Sequence, residues 1–107
     1  MTEYPQIKFL EVDVRDLPMG VVTQAIDNAN DFMFETDSEN LPPQIVKKGE
    51  TVYVPAYPSI ADTLIRSLFS IRADDRTINQ FRRAFETWNI EGFDVNAVIA
   101  DAKEQFV

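Results

Sequence analysis

The chain predicts an α+β domain with its elements in the order β-α-β-β-α-α-α. Three observations predict it: near-alternating apolar residues over Gln6–Val14, a glycine turn between two short apolar stretches within Ile45–Val54, and four segments whose apolar residues recur every three or four positions. The 107 residues suffice for one core, and at 45% hydrophobic and 26% charged they stand outside the disordered regime. No repeat or long linker divides them, so residues 1–107 read as a single globular domain carrying a small antiparallel sheet, made of an N-terminal strand plus a hairpin, packed with about four amphipathic helices.

The first strand has a slip in its alternation. Ile7 and Phe9 share one phase, and Leu10, Val12 and Val14 take the other. A β-bulge near Phe9-Leu10 would return both sets to one face, and a strand covered on both sides fits equally well. Glu11 and Asp13 then point away from the Leu10 side.

Asp16-Leu17-Pro18 opens a helix that runs to about Phe34, with an acid near its positive end and proline in its first turn. At about 100° per residue, Val21, Val22, Ala25, Ile26, Ala29, Phe32 and Met33 share the apolar side. Asp27, Asp31 and Glu35 align on the other side at four-residue spacing. Phe34 falls off the core face, next to that acidic row.

Thr36–Gln44 is polar, ends in Pro42-Pro43 and reads as a loop. Ile45-Val46 and Thr51–Val54 flank Lys47-Lys48-Gly49-Glu50 as a hairpin, and Pro55 ends its second strand or places it at a sheet edge. Three helices follow. Ser59 and Asp62 have capping-box spacing ahead of the stripe Ile60, Ala61, Leu64, Ile65, Leu68 and Ile71. Asp74 or Asp75 caps the next helix, whose apolar face is Ile78, Phe81, Ala84, Phe85 and a buried Trp88, with Gly92 beyond its end. Asp94 caps the last, which carries Val95, Val98, Ile99, Ala102 and Phe106.

Composition narrows the chemistry. There is no histidine, which removes the commonest general base and metal ligand, and no cysteine, which removes disulfides and thiolate sites. The start Met1-Thr2-Glu3-Tyr4-Pro5 carries an acid where a signal peptide has bases, and no apolar run reaches the ~20 residues of a membrane span. The expectation is a cytoplasmic protein without a membrane partner.

Candidate chemical sites each fall short of their requirements. Glu35, Asp37 and Glu39 alternate like a calcium loop, but Asn40 and Val46 occupy the glycine and bidentate-glutamate positions. The carboxylate pairs Glu11/Asp13 and Asp74/Asp75 lack the opposed environments that split pKa values for acid–base work. No nucleophile elbow or phosphate-binding glycine loop is present. The sequence therefore predicts no catalytic residue, no metal and no cofactor.

Charge is the remaining signal. The net charge is −8, and Met1–Ile45 holds nine acids against two bases, a net of −7. An acidic half repels nucleic acid and attracts basic partners. Arg66, Arg72, Arg76, Arg82 and Arg83 form a secondary basic set over two helices, but Asp74-Asp75 occupy the turn where a DNA-reading pair of helices would approach phosphate.

The expected function is a non-enzymatic protein–protein interaction module binding a basic partner through Asp27, Asp31, Phe34 and Glu35. Small acidic domains of this kind recur among phage and mobile-element accessory proteins, as assembly factors or inhibitors of host enzymes. One alternative is a self-assembling protein, a ring or filament in which the acidic helix of one copy meets the arginine helices of the next. Another is an acidic mimic of nucleic acid.

Overall fold

Leu10, Val12 and Val14 supply one apolar face of a strand, and Val52 and Val54 supply the matching face of another; all five are buried together. In a computed structural model that describes residues 8–36 and 43–106, these strands are β1 (Phe9–Asp13) and β3 (Thr51–Pro55), joined by β2 (Val46–Lys48). The helices are α1 (Met19–Thr36), α2 (Pro58–Ser70), α3 (Asp75–Trp88) and α4 (Val95–Gln105), which gives the predicted order β-α-β-β-α-α-α. Both β1 and β2 pair antiparallel with β3, so the described sheet has the order β1-β3-β2.

The hairpin turns at Gly49, whose φ of 59° is the left-handed conformation that a residue without Cβ adopts at little cost. Pro55 ends the central strand, and the ladder resumes one residue later, where the Ala56 N–H donates to the Lys8 carbonyl at 2.8 Å. Of the two readings of the slipped alternation, the bulge near Phe9-Leu10 is not formed within β1: the register runs unbroken from Phe9↔Pro55 to Asp13↔Thr51. Phe9 therefore keeps the phase of Glu11 and faces away from the core, 40% exposed. Ile7 lies outside the described residues, as does most of the Thr36–Gln44 loop.

The helices cover the other face of the sheet, with α3 against β1, α2 against β3, and α1 and α4 against α2. Within α1, Val22, Ala25, Ile26, Ala29 and Met33 are buried. Phe32 was expected among them and is 54% exposed instead. The buried stripe centres on Val22, Ala29 and Met33, and Phe32 falls at its margin, over a groove between α1, α2 and the end of α4.

Helix ends follow local chemistry. Asp74, rather than Asp75, caps α3, accepting from the Thr77 N–H at 3.3 Å and from the Thr77 hydroxyl. Asp94 caps α4 through Asn96 and Ala97. The capping box at Ser59/Asp62 does not form: Pro58 takes the first helical position, so Tyr57 is the cap residue and Ser59 already lies inside the helix. Trp88, expected in the core, is 43% exposed. It is the last residue of α3. Asn89 then turns left-handed at φ 49°, and Ile90 enters the core in its place.

Candidate functional site

The outer face of α1 is built by four-residue periodicity. With Val22, Ala25, Ala29 and Met33 held against the core, Asp27, Asp31 and Glu35 fall on the opposite side, and all three are exposed. No hydrogen bond or ion pair fixes these carboxylates among the described residues. Phe34 is 53% exposed beside them. The four predicted residues are thus together on one solvent-facing ridge, while Asp37 and Glu39 lie outside the described residues.

Phe32 flanks the same row on its other side, so the acids run between two aromatic side chains. Sequence periodicity assigned Phe32 to the core. The signal that could have placed it was the crowding of three successive apolar residues, of which a single helical stripe holds fewer than three. Phe32 borders an open groove of ≈ 410 Å³ with Asn28, Arg66 and Phe106.

The five arginines of the basic set are dispersed. Arg66 bridges α2 to α4, donating to Asp62 one turn before it and to Asp101 and Gln105, the last two at 2.6 Å. Its hydrogen bonds to Asp62 and then Asp101 hold the guanidinium even more firmly protonated than usual. Arg82 is held by Asn79 and by Glu86 at 2.7 Å, beside a separate groove between α3 and α4. Arg76 lies near Asp74 and borders a depression with Asp13 and Asp16. Arg72 and Arg83 are exposed.

One acid of each carboxylate pair has a structural partner, Asp74 in the α3 cap and Asp13 beside Arg15. Asp13 accepts from the backbone N–H and side chain of Arg15, which lower its pKa, the backbone bond most. Glu11 is exposed on the open face of the sheet. Among the described residues no group of three or more acids converges in a way that could hold a metal ion, and no helix is long and apolar enough to cross a membrane. No family model, curated protein or solved structure matches this chain, so the reading of its surface rests on its own residues.

Proposed function

We propose that this protein is a non-enzymatic interaction module that docks a protein partner with a basic surface onto the outer face of α1. The observation that carries the reading is Phe34, 53% exposed beside the row of Asp27, Asp31 and Glu35. Solvent-facing like charges four residues apart cost a helix a few tenths of a kcal/mol per pair, and a half-exposed phenyl ring adds less to folding than a buried one. In an interface the same groups become an aromatic anchor within a charged rim that steers association. The arginine set competes poorly for this role, because Arg66 and Arg82 are already held by the protein's own acids.

The test is affinity purification with the tagged protein, followed by binding measurements on the partner recovered. Asp27→Lys with Asp31→Lys should slow association about tenfold and leave the melting temperature equal or higher. Phe34→Ala should weaken binding by about 2 kcal/mol, or roughly 30-fold. A partner that binds these variants as well as wild type would reduce the ridge to a solvated face.

A further inference from the structure

The groove beside the acidic ridge, between α1, α2 and the end of α4, is lined by a row of hydroxyls. Thr63, Ser67 and Ser70 follow one another on a single face of α2 at four- and three-residue spacing. The Thr63 hydroxyl donates to the Ser59 carbonyl and the Ser70 hydroxyl to the Ser67 carbonyl, each at 2.8 Å. Their protons are spent, and only lone pairs remain to them. Ser67 is 8% exposed, yet its hydroxyl has no hydrogen-bond partner among the described residues. No sealed side-chain polar atom lacks a partner among those residues, so this hydroxyl opens onto the groove that it lines. A polar group so buried is ordinarily satisfied, and here a bound donor or acceptor has to do it.

Charge and shape select the ligand. Arg66 is the one cation of the lining among the described residues, and Asp62 and Asp101 both pair with it, one base against two acids for a net of −1. Asp27 and Asp31 precede Asn28 and Phe32, which form the α1 wall. An anion would therefore meet carboxylates on both sides, and a hydrocarbon would leave the Ser67 hydroxyl without a partner. Phe32 and Phe106 offer apolar surface that suits the methylene stem of a long side chain. The side-chain oxygens of Asn28 and Gln105 accept from Gln24 at 3.2 Å and from Arg66 at 2.6 Å, which leaves their amide N–H groups for the backbone carbonyls of a peptide.

Resting on the reading of the ridge as a docking face, we propose that this groove receives a lysine side chain of the protein partner docked on α1. Its stem lies between Phe32 and Phe106, and its ammonium donates to the Ser67 hydroxyl and to one neighbouring hydroxyl of the row. An ammonium has three donors and no acceptor, which complements hydroxyls whose own protons are committed. The planar fork of arginine matches carboxylates instead, and those of this groove are already held by Arg66.

An NMR titration of the full chain with a capped glycine–lysine–glycine peptide, to about 20 mM, tests the proposal, with the norleucine peptide as its uncharged match. The amide resonances of Thr63, Ser67, Ser70 and Phe106 should shift and saturate, and the norleucine peptide should bind at least about tenfold more weakly. Ser67→Ala should melt like wild type and weaken the lysine peptide at least about threefold, and Phe32→Ala should weaken it as well. Shifts that never saturate at these residues, equal binding of the two peptides, or full binding by Ser67→Ala would each overturn the proposal. Shifts confined to Asp27, Asp31 and Glu35 would also overturn it and leave the ridge standing as the docking face. The ridge fails on a different result, a recovered partner indifferent to the Asp27→Lys and Asp31→Lys changes.

Discussion

Asn30 and Ile45 exchange two hydrogen bonds: the Asn30 side-chain amide donates to the Ile45 carbonyl and its oxygen accepts from the Ile45 N–H, each at 2.9 Å. One amide side chain on α1 thus satisfies both backbone groups of the residue that leads into β2, and so ties the acidic helix to the sheet. Asn30→Ala leaves two partly buried backbone groups without this partner and should cost about 2–3 kcal/mol in urea unfolding. Asn30→Asp should cost at least as much at neutral pH, since an ionised carboxylate only accepts and would face the Ile45 carbonyl. The deficit of the Asp variant should shrink near pH 4, where a protonated carboxyl donates again.

A second prediction separates two aromatic residues of one helix. Phe81 is fully buried and makes a tilted ring contact with Phe85 at 6.3 Å, whereas Trp88 is 43% exposed at the helix end. Phe81→Ala should destabilise by about 3–5 kcal/mol, a large part of the ~5–15 kcal/mol available to a domain. Trp88→Ala should cost about 1 kcal/mol or less, because much of the indole stays in water in the folded state. Thermal melts of the two variants side by side check the contrast.

Trp88 also marks where sequence periodicity stops being informative. The period of 3.6 placed Ile78, Phe81 and Phe85 in the core correctly, and it continued to Trp88 only because nothing in the period says where a helix ends. The left-handed turn at Asn89 made that decision. Similarly, Phe32 matched the apolar side of α1 by angle, but the buried stripe centres on Val22, Ala29 and Met33, about 80° away around the helix. The acidic ridge was legible because exact four-residue spacing keeps Asp27, Asp31 and Glu35 aligned whatever the helix packs on. The open sheet face was not legible: which residues join Tyr53 there depends on the pairing of β1 and β2 with β3, a non-local register.

Arg72 offers a route to a more stable protein. It follows α2 at φ 59°, and its N–H bonds the Phe69 carbonyl at 3.1 Å while the Ala73 N–H bonds the Leu68 carbonyl at 3.0 Å. This is the paired helix-terminating arrangement in which glycine usually occupies the left-handed position. A side chain there costs about 1 kcal/mol, partly offset because glycine loses more entropy on folding. Arg72→Gly should therefore raise stability by about 0.5–1 kcal/mol, several degrees in melting temperature for a chain of this size. Arg72→Ala removes the same charge and keeps the strain, so it should melt near wild type; equal gains in both variants would assign the effect to charge.

The last prediction concerns acid. The Asp74 carboxyl is held below its ordinary value of 3.8, first by the hydrogen bond from the Thr77 hydroxyl, which outweighs the opposing effect of burial, and then by the weaker contribution of the Thr77 backbone N–H. Because the folded-state pKa lies below the unfolded one, folding favours the carboxylate. This contribution is fully present above about pH 4 and is lost as pH falls through the depressed folded value. Asp74→Ala should lower the melting temperature at neutral pH by unseating the α3 cap, and its deficit should narrow below about pH 4, where wild type loses the same charge. Thr77 is fully buried, and its hydroxyl is the largest cause of the shift. Thr77→Val should therefore raise the Asp74 midpoint toward 3.8 in an NMR titration of the carboxyl carbon, with α3 still capped through the backbone N–H. An Asp74 midpoint unmoved by Thr77→Val would mean that the backbone bond alone holds the carboxylate, and the pH window of the cap would then be independent of the hydroxyl.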